Sequence, residues 1–208
     1  MQLQLNRNAT LGIGLSLITG TGFILLSFLM GKENAFLLLN IDLGPTSDFL
    51  FYIWANAGDG FIWIPAFALT LMYKKKFIPF LIATIVFSTI ITQSSKQVFF
   101  KAENRPTAVI TNASLIHKVP GIEIHTTNSF PSGHTTTVFC IYFIGCLIIG
   151  GNKMVYGGFL MALLTGYSRI YLAQHFPLDV GAGMITAVIS IYLSLRIQQL
   201  FNKKQNMS

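Results

Sequence analysis

The chain has 208 residues, 52% of them hydrophobic and only 10% charged, with a mean hydropathy of +0.61. That composition excludes an ordinary water-soluble enzyme wrapped in charge and points to a bilayer. The net charge of +7 does not mark a nucleic-acid binder. The basic residues are scattered among apolar segments, without a stripe of interleaved aromatics, and so read as topology signals.

Apolar stretches of spanning or near-spanning length recur over residues 10–30, 55–73, 77–95, 134–151, 154–172 and 180–199, and none shows the period-2 alternation of a barrel strand. The expectation is an all-α integral membrane protein, one six-helix bundle filling residues 1–208 as a single transmembrane domain. The first stretch is followed by Gly31-Lys32-Glu33 with no small-x-small cleavage site, so it reads as a retained anchor. Asn56, Gly58, Asp59, Gly60 and Pro65 interrupt the second. A short helix over residues 48–54 is expected ahead of the real span, with Asp59 and Asn56 as a polar interruption at its start or, as the alternative, shaping a head-group pocket. Tyr52, Trp54 and Trp63 suit an interfacial belt. The third stretch runs into the longest loop, residues 96–133. In the fourth, Cys140 and Cys146 fall on different helix faces, too far apart to bridge, and are lipid-facing or packing residues. A tight Gly150-Gly151-Asn152-Lys153 turn leads to the fifth.

Placing the N-terminus inside puts Arg7, Lys74, Lys75, Lys76, Lys153, Arg196, Lys203 and Lys204 on the cytoplasmic side. Lys32, Lys96, Lys101, Arg105, Lys118 and Arg169 fall outside, together with all seven acids. The same assignment brings the long loop, the start of the fourth helix and the link between the fifth and sixth to one outer face. Long loops on a rigid scaffold are where sites are built.

At that face His175 and Asp179 are an i, i+4 pair at a helix start, with Pro177 in the first turn. A carboxylate that takes the Nδ1 proton leaves Nε2 free as base or nucleophile. On its own such a pair is more often a cap or a surface pair. Arg169, six residues earlier, is either an anion ligand or a snorkelling anchor. Pro131-Ser132-Gly133-His134 opens the fourth helix, where unpaired N–H groups accept an oxyanion. Gly133 permits close approach, Ser132 can cap the helix or donate to the anion, and His134 can protonate a leaving oxygen. Its plain alternative is an ordinary capped helix with an interfacial histidine. Arg105-Pro106, with Lys96 and Lys101 upstream, adds cations suited to a phosphorane. A metal site joining His117 and His125 to His134 and His175 has no supporting ligand spacing.

These segments resemble the three signature motifs of the type 2 phosphatidic acid phosphatase superfamily, which is related to the vanadium haloperoxidases. Pro131-Ser132-Gly133-His134 is similar to the second motif in full, and Ser168-Arg169, His175 and Asp179 match the third at every spacing. The first motif is usually a lysine, six residues, then Arg-Pro. Here Arg105-Pro106 matches, but position 98 is Val98, and Lys96 stands eight residues ahead of Arg105. Lys96 is preferred over Lys101 because it ends a span on the site's side. Two extra helical residues would add about 3 Å along the axis, so a local loop is expected there.

The resemblance implies that His175 attacks phosphorus, Asp179 orients it, and His134 protonates the leaving group and then activates water. Lys96, Arg105 and Arg169, with Ser132 and the Gly133 amide, would hold the phosphoryl oxygens. No cofactor and no metal is implied, because the cations supply the charge. The implied partner is a lipid phosphate or diphosphate among membrane lipids, with no nucleic acid. Small size and short loops point to a multi-pass protein of a bacterial inner membrane with a periplasmic site. Transfer of the phosphoryl group to a second lipid, and a non-catalytic membrane protein, are the alternatives.

The orientation predicts that single cysteines placed at Lys75 and Lys118, in a background lacking Cys140 and Cys146, label from opposite sides of the membrane. Labelling of both from one side would overturn it.

Overall fold

A computed structural model describes residues 5–205, and among these the regular elements are all helices, with no strand. The helices are α1 (Arg7–Met30), α2 (Lys32–Leu39), α3 (Pro45–Ala55), α4 (Trp63–Tyr73), α5 (Ile78–Ser94), α6 (Pro106–Val109), α7 (Gly133–Ile148), α8 (Gly158–Tyr171) and α9 (Pro177–Gln205). Six of them, α1, α4, α5, α7, α8 and α9, occupy the six predicted apolar stretches. Three continuous helical segments, Arg7–Met30, Lys75–Phe99 and Pro177–Lys203, are long and apolar enough to cross a membrane, and Gly60–Tyr73 and Gly133–Ile148 are shorter apolar helices.

The expectation of a full second span is corrected. Helix α4 has 11 residues, about 16 Å at 1.5 Å per residue, roughly half the hydrocarbon thickness. What precedes it is α3, then two 3₁₀ turns, Asn56–Gly58 and Gly60–Ile62. Two glycines flanking Asp59 in the sequence account for the break. Pro65 lies in the first turn of α4, where a missing N–H costs nothing.

Helix α9 is the axis of the bundle and packs against α1, α5, α7 and α8. Of its apolar window 67% is buried, against 22% for α1. Small residues permit that burial. A Cβ on Gly183 would lie 2.8 Å from Ser132 O and 3.0 Å from Thr135 Cβ, and a Cβ on Gly20 would lie 3.1 Å from Gly181 O. Close backbone approach of this kind is how helices pack where lipid tails are as apolar as the helix. At the far end, Gln198 accepts from Phe80 N (3.0 Å) and donates to Lys76 O (3.0 Å), supplying the unpaired first turn of α5. Thus the Lys74–Lys76 turn lies at the C-terminal end of α9, and the N-terminal end of α9 is left for the histidine motif.

Beyond the helix ends, buried Asn40 ties three segments. Its Nδ2 donates to Ile170 O and Tyr171 O at 3.0 and 2.9 Å, and its Oδ1 accepts from His117 N at 2.8 Å. Cys140 and Cys146 are both buried and free, so they are packing residues and not lipid-facing.

Gly183→Leu is expected to wedge α9 from α7 and cost at least about 1–3 kcal/mol, seen as loss of monodisperse protein and a lower melting temperature in detergent. Gly22→Leu, on a helix surface with nothing within 4 Å of its Cβ position, should be tolerated.

Candidate active site

The last turn of α8 shapes the link to α9. Arg169 O accepts both Gln174 N–H (2.9 Å) and His175 N–H (3.0 Å), with Ala173 left-handed at φ 54°. The five residues between Arg169 and His175 are therefore the length of one reversal, delivering both side chains to the same end of the bundle.

Asp179 occupies the third position of α9. Its Oδ2 accepts from Phe176 N (3.0 Å), from Ser129 Oγ (2.5 Å) and, more loosely, faces His175 Nδ1 (3.4 Å). The first contact reaches back to the residue ahead of the helix, as in a capping box. One carboxylate thus fixes both the helix start and the imidazole. With Nδ1 turned to it, Nε2 is the nitrogen left for chemistry. His175 is 1% exposed. Burial, and after it the charges of Arg105, Lys96, Arg169 and His134, hold its pKa well below the ordinary histidine value, so it stays neutral.

Ser132 caps α7: its Oγ accepts from Thr135 N–H (3.4 Å) and from the Thr135 hydroxyl (2.9 Å), while its own N–H donates to Asp179 O (3.0 Å). Of its two expected roles the cap is the one formed. At Gly133 the nearest foreign atom to a Cβ position is Thr92 Cγ2 at 3.7 Å, so the turn is not crowded.

The cations arrive from three directions. Arg105 is buried and tied to backbone, with Nε donating to Thr127 O (2.9 Å) and Nη1 to Gln174 O and Oε1 (3.1 and 3.0 Å). Arg169 is buried too, and its Nε has no hydrogen-bond partner among the described residues. An unpaired buried guanidinium N–H is costly unless an anion meets it. Lys96 is half-buried and close enough to Arg105, Asp179 and Arg169 to interact with each. In place of the expected local loop, Lys96 lies in a π-helical segment over Ser95–Phe99, whose wider turn takes up extra residues without leaving the helix. Val98, at the position of the usual lysine, is 70% exposed, and Lys101 is exposed as well.

His134 has a partner that sequence reasoning missed. Its Nε2 lies 2.6 Å from Asp59 Oδ1, so the polar interruption of the second stretch belongs to the site. A costly acid between two glycines in an apolar run was the available signal. Ser129 and Gln174 were missed as well. They are lone polar residues whose roles, holding Asp179 and Arg105, leave no pattern in the chain.

His117 stays outside the site and His125 lines only the cavity that Arg169 also lines, so the four-histidine cluster does not form. His117 pairs with Asp48 (3.0 Å), which also accepts from Tyr171 Oη (2.6 Å), and His125 is exposed beside Glu123. A cavity of about 250 Å³ lined in part by Tyr52, Asn56, Glu123, Arg169 and Gln174 opens beside the cations.

Residues 77–203 match the PAP2 superfamily. The chain is 29% identical over 183 residues to an undecaprenyl-diphosphatase of Sulfolobus acidocaldarius, covering 84% of this chain and 85% of that one. It is 28% identical over 163 residues to a lipid A 4'-phosphatase of Porphyromonas gingivalis, covering 76% and 69%. The crystal structure of Aquifex aeolicus LpxE superposes with a TM-score of 0.67 at 30% identity, over 77% of this chain and 92% of that one. With all three motifs converging at the N-terminal end of α9 and the family match spanning more than half of its length, this chain belongs to the PAP2 superfamily.

Proposed function

We propose that the protein is a metal-independent membrane phosphatase that hydrolyses a lipid phosphate or diphosphate through a phosphohistidine on His175. Lipid phosphatase activity agrees with the family and with the relatives' names. The observation that carries the mechanism is the convergence of a neutral, buried His175 with three cations, one of which holds an unpaired buried N–H.

In the first step the Nε2 lone pair of His175 bonds to phosphorus as the P–O bond to the leaving group breaks. His134 gives its proton to the departing oxygen. In the second, His134 takes a proton from water, whose oxygen displaces His175. The charge on the equatorial oxygens is met by Lys96, Arg105 and Arg169 and by the first-turn N–H groups of α7, in a setting where fixed donors are worth far more than in bulk water. That assembly supplies the positive charge a bound metal would otherwise bring.

The tail stays in the bilayer. A groove of about 460 Å³ between α4 and α7, apolar in lining from Ile62 to Lys74 and from Ile141 to Ile149, offers a bed for an acyl chain, though none of the site residues lines it. Lysines at Lys74–Lys76 mark the opposite end of the bundle, which supports an outer-face site, periplasmic in a bacterial inner membrane.

Phosphate release from lipid phosphates in detergent should survive chelator, fall with vanadate and drop to background in His175→Ala, and a requirement for added metal would overturn the mechanism. Arg169→Ala should lower kcat/KM about 10²–10³-fold, as loss of one preorganised donor does. Because His175 resists protonation, the acid limb of kcat/KM should lie below the ordinary histidine value of about 6.5. Activity lost as pH falls through 6.5 would show instead a nucleophile without the cation field.

A further inference from the structure

Asp59 is expensive where it stands. It follows α3 and precedes α4 in an apolar segment, where its carboxylate pairs with His134. An ion pair about a third exposed, as Asp59 and His134 are at 35% and 30%, contributes little stability. The surrounding chain is nevertheless built around it. A Cβ on Gly58 would lie 2.7 Å from His134 Cβ and 3.0 Å from His134 O, so only a glycine lets this turn lie directly on the first turn of α7. The turn places a carboxylate oxygen 2.6 Å from one ring nitrogen, Nε2.

The groups that face His134 are otherwise positive or neutral. Arg169 comes from α8, Lys96 from the turn after α5, and His175 from the link before α9. The N-terminal end of α7 adds its own partial positive charge. All the charged ones oppose an imidazolium, which a general acid must be at the moment of attack. Asp59 is the carboxylate in contact with the ring.

We infer that Asp59 is a positioning residue for the leaving-group step: it accepts the Nε2 proton of His134, fixes the ring so that Nδ1 carries the transferable proton, and balances the imidazolium against the cations that hold phosphate. The inference rests on the phosphohistidine reading above. The proton balance closes without further reactants. In phosphorylation Nδ1–H passes to the leaving oxygen as the P–O bond breaks, and in hydrolysis Nδ1 takes a proton back from water as the N–P bond breaks. The Nε2 proton stays on His134 throughout, donated in a hydrogen bond to Asp59, as in a serine-protease triad where the carboxylate orients the base without taking its proton.

The test compares kcat/KM for two tailed substrates that differ in leaving group, a long-chain alkyl phosphate and a long-chain nitrophenyl phosphate. The alkoxide needs a proton to depart and the nitrophenolate does not. Asp59→Asn should lower kcat/KM for the alkyl phosphate about 10- to 100-fold, the usual scale for losing a residue that orients a catalytic group, and change the nitrophenyl phosphate less than about 3-fold. In a His134→Ala background, Asp59→Asn should have no further effect, since the two act as a unit. Equal losses on both substrates, no loss on either, or losses that multiply with His134→Ala would overturn the inference. Should Asp59→Asn fail to fold, the same ratio is read on Asp59→Glu, whose longer arm displaces the ring. Wild-type turnover and its loss in His175→Ala on both substrates test the underlying reading separately.

Discussion

A single carboxylate joins the parts of this protein that must stay in register. Asp179 is at once the first-turn acid of the central helix, the acceptor for the Ser129 hydroxyl from the long loop, and the partner of His175, while its backbone carbonyl holds the Ser132 amide at the start of α7. Two helix starts and one loop are pinned within a few ångströms of each other. An N-terminal helix end favours negative charge, so the residue that completes the helix is also the one that orients His175. Catalytic geometry and the stability of α9 are therefore not separable at this position.

Around that anchor the site accumulates positive charge beyond what its acids offset. Arg105 discharges much of its hydrogen-bonding capacity into backbone carbonyls and the Gln174 side chain, which places it rigidly. Arg169 leaves one donor open. The division suits phosphoryl transfer, where the protein's task is positioning and electrostatics more than covalent work. Burial first, and the neighbouring cations after it, hold the His175 pKa well below the ordinary histidine value. In the proposed mechanism the cations that would hold phosphate therefore add to what burial does to keep the His175 imidazole unprotonated.

The break between α3 and α4 links the bilayer to the chemistry. It shortens α4, opens an apolar groove beside α7 and brings Asp59 to His134. A continuous second span would have buried the groove and moved the acid away. Helix-breaking residues are tolerated at this depth only where neighbouring groups or a cavity receive the freed backbone. Here the broken segment carries Asn56 to one cavity, Ile62 to another and Asp59 to His134.

Helical class, the apolar stretches and the motif residues were legible along the chain. Each is a local property: hydropathy over about 20 residues, or a spacing within one turn or one reversal. The His175 to Asp179 pair and the Ser132 cap were visible for that reason. The choice of Lys96 was reached from the chain, but its geometry depended on the π turn. Which helix is central was not legible. Lipid tails and a protein core are equally apolar solvents for a side chain, so α1 and α9 read alike although one is mostly exposed and the other mostly buried. Nor was the role of Asp59, which stands 75 residues before His134 in the sequence, or that of Asn40, which caps α8 from the far end of the chain. The sequence by itself determined the kind of chemistry and the solvent in which it is performed. Tertiary structure decided which acid answers which histidine, because a hydrogen bond between distant segments depends on where backbones cross, and no local pattern records a crossing.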